Sequence, residues 1–219
     1  RAIFGGFTGS CVMNGIKRGL FSNEAGVGSA PNAAASAAVS HPVKQGLVQM
    51  LSVFIDTILI CSATACLLLC SGVAPSEELK GMPWVQAAAS ESLGSFGTIF
   101  ITVALCLFAF TTLIGNFYYA EMGLKYLCGK TPGKTLLNLF RVIAALIVLA
   151  GSVMEFGLVW STADVLMGFM ALINLPVILL LGGTAIRCMK DYMRQKKEGR
   201  DPVFKAAVIG LKEKTDFWD

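Results

Sequence analysis

Two stretches of this chain carry no charge at all, and they leave the backbone little choice. Residues 96–120 and residues 165–186 contain no Asp, Glu, Lys or Arg. As a helix, each is long enough to cross a hydrocarbon layer of about 30 Å at 1.5 Å per residue. Neither alternates apolar and polar residues with period two, as a barrel strand would. A helix, which satisfies its own backbone, is then the spanning structure required. The composition agrees: 55% of the 219 residues are hydrophobic and only 15% are charged, where a soluble domain carries about 25%. The expected fold class is an all-α membrane protein.

Four apolar spans are expected. They cover 46–70, broken only by Asp56, then 96–120, then 135–157 with Arg141 and Glu155 near its ends, and 164–187. The charges between them alternate. Residues 1–45 sum to +3, residues 71–95 to −2, the connection holding Lys125, Lys130, Lys134 and Arg141 to +4, and the tail from Arg187 to +3; the turn near Ser161 and Thr162 has no basic residue. By the positive-inside rule both ends of the chain are cytoplasmic. The net charge of +4 therefore reads as topology, not as affinity for nucleic acid. Ser161 or Thr162 is expected to cap the fourth span, with Asp164 in its first turn. Cys128 to Lys134 reads as a cytoplasmic turn, Pro75 and Pro83 punctuate an external loop, and Trp84 is expected at the outer interface. Arg187 to Arg200 reads as a basic helix leaving the membrane on the cytoplasmic side, solvated rather than lipid-bound. The seven Cys include no CxxC pair and the chain has one His, His41. They read as small buried hydrophobes in helices rather than as a zinc site.

Residues 15–30, GIKRGLFSNEAGVGSA, precede Pro31. Lys17 and Arg18 suit a cytoplasmic face. Gly19, Gly26 and Gly28 permit tight turns. Ser22 or Asn23 can cap a helix with Glu24 in its first turn, and the following alanines give that helix a nearly smooth surface. His41-Pro42 ends it, since the residue before proline avoids helical geometry. The result is a compact helical loop, either a structural connector or a gate. It is no phosphate loop: GVGSAP lacks the GK[ST] ending and follows no strand.

This stretch resembles the signature of the alanine or glycine:cation symporters. The likeness continues through GLVQMLSVFIDTILICSATA (46–65), LFAFTTLIGNFYYAE (107–121), WSTAD (160–164) and Asn174-Leu175-Pro176, so it covers almost the whole chain. It implies the C-terminal part of a leucine-transporter-type bundle, whose ten core helices form two inverted repeats around a site at broken helices. Residues 1–16 would be the inner half of core helix six, 17–45 a cytoplasmic helical loop, the four spans core helices seven to ten, and 188–219 a cytoplasmic tail. The missing N-terminal half of the same transporter would be a partner. The chain would lie in a bacterial cytoplasmic membrane, in contact with lipid.

Within the second span, Thr111 and Thr112 follow Phe108-Ala109-Phe110. Threonine hydroxyls in such helices commonly bond a carbonyl one turn back. Two hydroxyls and the Phe108 carbonyl also gather oxygens of the kind a hard cation takes. The resemblance implies a sodium site at Phe108, Thr111 and Thr112, with other ligands from core helix one. It further implies a substrate pocket at Thr112 and Asn116. Family members commonly carry Trp at the latter position, so Asn departs from the pattern and opens the pocket; otherwise it bonds a neighbouring helix.

Asp56 lies inside the first span, where an unpaired charge costs several kcal/mol. It reads as lining a pathway or as a structural pair. The function expected is sodium-coupled symport of a small neutral amino acid, alanine or glycine, by alternating access. The chain is expected to be no enzyme and to need no cofactor beyond sodium as the coupling ion. The alternatives are a proton-coupled amino-acid transporter, or a channel or proton-conducting subunit using Asp56, Glu121 and Glu155. A membrane-embedded enzyme would need a clustered acidic or histidine motif.

Overall fold

The computed structural model describes residues 2–24, 26–76, 79, 81–129, 132–211, 215 and 218. All regular structure among them is helical: α1 (Ala2–Ser22), α2 (Ala30–Ala34), α3 (Pro42–Phe54), a π-helical segment (Ile55–Cys61), α4 (Ser62–Cys70), α5 (Met82–Leu93), α6 (Ser95–Cys128), α7 (Lys134–Val153), α8 (Phe156–Lys197) and a 3-10 turn (Ala206–Ile209). Four helices are long and apolar enough to cross a membrane: Pro42–Cys70, Ser95–Cys128, Lys134–Val153 and Phe156–Lys197. Their surfaces are openly apolar; Leu179 and Leu180 in α8 are 81% and 82% exposed. Among the described cysteines none is fully buried, against the expectation of buried small hydrophobes: five are exposed on helix faces that protein does not cover, and Cys128 and Cys188 are half-buried.

The chain folds as two compact units, residues 51–130 and residues 1–50 with 131–219. In the first, the stretch expected as a plain external loop contains a helix. Gly94 turns between α5 and α6 with φ 63°, and α5 packs on α6. Ala88 and Ala89 are buried, and a Cβ on Gly97 would meet the Ala89 carbonyl oxygen at 2.1 Å. That approach needs glycine. Gln86 Nε2 donates to Thr102 Oγ1 at 2.9 Å, and Trp84 Nε1 donates to the Val73 carbonyl at 2.8 Å. Trp84 thus pins its own loop.

In the second unit the alanine-rich stretch departs from the expected long helix. Asn23 does not open a helix; it closes one, its Nδ2 donating to the Gly19 carbonyl at 3.1 Å. Glu24 follows in the left-handed region at φ 48°, the usual geometry past a helix C-terminus. Only Ala30–Ala34 is helical afterwards. A short alanine run cannot nucleate well, and the Ser36 hydroxyl bonds back to Ala33 at 2.7 Å. Pro42 does not end that helix but starts α3, a position that suits proline because its missing N–H has no partner there. Likewise α8 begins at Phe156, so Ser161 and Thr162 cap nothing; Thr162 Oγ1 donates to the Leu158 carbonyl at 2.8 Å, inside the helix.

The basic segment expected as a helix from Arg187 is the end of α8, which runs to Lys197, and the chain beyond it folds back. Phe204, Ala206 and Ile209 form a small core with Cys188, Leu211 and Trp218 against it. The Phe204 amide donates to the Ser40 carbonyl at 2.9 Å, and the Ser40 hydroxyl donates to the Pro202 carbonyl at 3.0 Å. Gln195 bonds both the amide and the carbonyl of Val203, at 2.9 and 3.0 Å. Lys44 Nζ reaches Asp201 at 2.6 Å. The tail clasps the start of α3 to the end of α8, because its apolar side chains find a mate there.

Candidate functional site

On α6, Thr111 Oγ1 lies 3.1 Å from the Leu107 carbonyl and 3.0 Å from the Phe108 carbonyl. This is the back-bonding that membrane threonines adopt, and it places a hydroxyl oxygen beside the Phe108 oxygen. Thr112 follows directly. Asn116 lies one turn further on the Thr112 face. Phe108, Thr111, Thr112 and Asn116 are all exposed, so the cluster of oxygens opens onto a surface. Oxygens of this kind suit a hard cation.

Asp56 and Thr57 lie in the seven-residue π-helical segment. Such segments are rare, and their widened turn re-aims side chains at functional places. Glu121 is held by Lys125 at 2.7 Å on the same helix, and Glu155 sits at the start of α8.

In the other unit the signature stretch wraps along α8. Lys17 Nζ and Arg18 Nη1 lie 3.0 and 3.4 Å from the Asp164 carboxylate. Arg18 stands 5.0 Å over the Trp160 ring, and Phe21 stacks on that ring at 5.2 Å. Both motifs, KRGLF and WSTAD, therefore meet at one end of α8. Next comes the break. Gly26 and Gly28 have φ of 82° and 93°. Asn174 Nδ2 donates to the Gly26 carbonyl at 2.9 Å. A Cβ on Gly28 would sit 2.9 Å from the Asn174 Cγ. The Ser29 hydroxyl donates to the Glu24 carboxylate across the same turn. Two residues after Asn174, Pro176 has no N–H to give to the carbonyl one turn back. The α8 carbonyl one turn before Pro176 thus lacks its usual helical donor, while on the loop side the Gly26 carbonyl is taken up by Asn174.

The chain then reaches the far end of α8. His41 is fully buried. Its Nδ1 accepts from the Val43 amide at 3.2 Å, and its Nε2 faces the Asp191 carboxylate at 3.6 Å. Asp191 also holds Arg194 and accepts from Gln195 Nε2 at 2.8 Å. Tyr192 and Phe204 rings flank the imidazole, each at 5.2 Å. Burial pushes the His41 pKa below its ordinary value near 6.5; Asp191 pulls it up, less strongly, and Lys44 adds to the lowering. Lys44 in turn holds the Asp201 carboxyl below the usual range.

Asp164 and Asp191 are 27 residues apart on one helix, about 40 Å at 1.5 Å per residue. The charges pooled above as one loop in residues 1–45 therefore sit at opposite ends of α8: Lys17 and Arg18 with Asp164, Lys44 with Asp201 beside the clasp. Gly26 meets Asn174 near the middle of the uncharged stretch 165–186. Glu24, Gly26, Ser29 and Asn174 were not assigned to a site by sequence reasoning. The signal was present in Asn-Glu and two spaced glycines that interrupt an otherwise apolar helical run.

A family model described as the sodium:alanine symporter family matches residues 1–206. The amino-acid carrier protein AlsT of Bacillus subtilis (strain 168) is 47% identical over 217 residues, covering 99% of this chain and 46% of that protein. The probable sodium/glutamine symporter GlnT of the same organism is 42% identical, covering 98% of this chain and 44% of its own length. The sodium/proton-dependent alanine carrier protein of Bacillus sp. (strain PS3) is 39% identical, covering 99% and 52%. The chain spans about half the length of these curated relatives.

Proposed function

Since this chain belongs to the sodium:alanine symporter family, we propose that it forms the substrate- and cation-handling part of a membrane symporter for a small neutral amino acid, alanine or glycine, with sodium as the coupling ion. One observation carries the reading: the interruption between α1 and α2, seated on Asn174 near the middle of α8's uncharged stretch. An amino acid brings an ammonium and a carboxylate into an apolar layer. Only irregular backbone that lines a cavity offers bare carbonyls and amides at that depth. On this reading the basic end of α8 is cytoplasmic, the Lys17–Arg18–Asp164 cluster faces outward, and the break lies at mid-depth instead of in a cytoplasmic loop. α1 is then the outer part of a broken helix.

On α6, the Phe108 carbonyl with Thr111 and Thr112 would hold sodium, and Thr112 with Asn116 would face the substrate. Sodium bound there favours the substrate-competent state, and linkage makes substrate favour sodium in return. No covalent step is involved. Asn116 adds a donor and an acceptor, which suits a substrate with a polar side chain as well, in keeping with a relative whose name includes glutamine.

The test is uptake of labelled alanine by a full-length protein carrying this chain, in proteoliposomes, under sodium or proton gradients imposed separately. A sodium gradient should drive accumulation. In a Thr111→Ala, Thr112→Ala variant, uptake should fall about tenfold or more, the scale of lost bonds to a charged group. Accumulation driven by protons alone would transfer the coupling to the proton, and sodium-driven uptake that survives the double substitution would refute the α6 site.

A further inference from the structure

At the basic end of α8 lies a cleft of about 290 Å³ lined by Arg187, Lys190, Asp191, Arg194, Val208 and Ile209. We propose that it binds the phosphate of an acidic phospholipid headgroup. The three cations follow one another along one face of α8 at helical spacing. The acid lining the cleft is already committed, since Asp191 is 5% exposed, holds Arg194 and Gln195, and faces His41. Arg187 bonds only a neutral hydroxyl, that of Thr184 at 3.2 Å, and among the described residues neither Arg187 nor Lys190 pairs with an acid. The cleft therefore presents uncompensated positive charge.

Its place decides the source of the anion. Arg187 is the first charge after the uncharged stretch 165–186. That is the boundary of the hydrocarbon layer, where headgroup phosphates lie and where basic pockets recognise them. The opposite wall is apolar, made by Val208 and Ile209 of the folded tail. A free phosphate gains nothing from such a wall, whereas a glycerol backbone and acyl chain do. The wall exists only while the tail is clasped, so the site is built and is more than a basic helix end attracting a charged surface. This inference rests on reading α8 as membrane-spanning, but its test involves no transport.

The test is native mass spectrometry of the full-length protein in detergent, titrated with phosphatidylglycerol, phosphatidylethanolamine or inorganic phosphate. Phosphatidylglycerol should bind about tenfold or more tightly than phosphatidylethanolamine. Arg187→Gln with Lys190→Gln should remove that preference. Val208→Asp, at a 53% exposed cleft residue, should do the same, while Val203→Asp, at a 54% exposed tail residue outside the cleft, should leave it intact. Equal effects of the two tail substitutions would reduce the binding to general attraction and overturn the proposal. So would equal binding of the two lipids, or displacement of phosphatidylglycerol by millimolar inorganic phosphate.

Discussion

Gly28 carries the sharpest steric demand of any residue in the signature stretch. Its φ of 93° and the 2.9 Å approach of Asn174 exclude a side chain twice over. Gly28→Ala should therefore cost about 1–3 kcal/mol, read as a lower melting temperature in detergent, and uptake should fall with it. Asn174→Ala removes one partly buried bond to the Gly26 carbonyl, about 1 kcal/mol. If Gly28→Ala melts like the parent, the turn does not have the geometry described here. Asp164→Asn should be milder. Its partners Lys17 and Arg18 are about half exposed, and such pairs contribute about 0–1 kcal/mol. These residues also show where sequence reasoning stops. The glycines announced a turn. Nothing local announced that its mate was Asn174, 148 residues away.

At the scale of elements, the apolar spans were legible because charge is excluded from them by cost alone. Their ends were not. Ser161, Thr162 and Asp164 imitate a helix start, yet Phe156 begins α8 and Asp164 serves a distant ion pair. The tail was hidden for a related reason: nine basic and six acidic residues from Arg187 onward mark it as polar, while its packing depends on where a few apolar residues, Phe204, Ala206 and Ile209, sit. The clasp should be pH-sensitive. Buried His41 resists protonation that a released His41 accepts. Its stabilising share is full above the ordinary value near 6.5 and is lost as pH falls below it toward the depressed folded value. Hydrogen exchange at the Phe204 amide, corrected for intrinsic rates, should lose protection over that window, and His41→Gln should flatten the profile. Protection that stays constant from pH 7.5 to about 5 would remove His41 from the account.

At the scale of the whole chain, the helices within each unit leave many leucines and phenylalanines exposed, and these need lipid or further protein. The cation-ligating reading of Phe108, Thr111 and Thr112 came from resemblance. The structure adds the bond geometry of Thr111, and it leaves those oxygens on an open surface. The 219-residue chain alone, reconstituted in liposomes, should accumulate no alanine under a sodium gradient, whereas a full-length protein carrying it should. Uptake by the chain alone would show that these residues form a complete site.

α8 has 42 residues, so it is a rod about 63 Å long. The Lys17–Arg18 pair sits toward one end, the clasp near the other, and Pro176 lies close to the midpoint. Were a rod of that length to pivot beside the Asn174 contact, it would act as a lever. A tilt of about 10° there would swing each tip by about 5 Å in opposite directions, enough to part a charge pair at one end while tightening the other, with almost no displacement at the pivot.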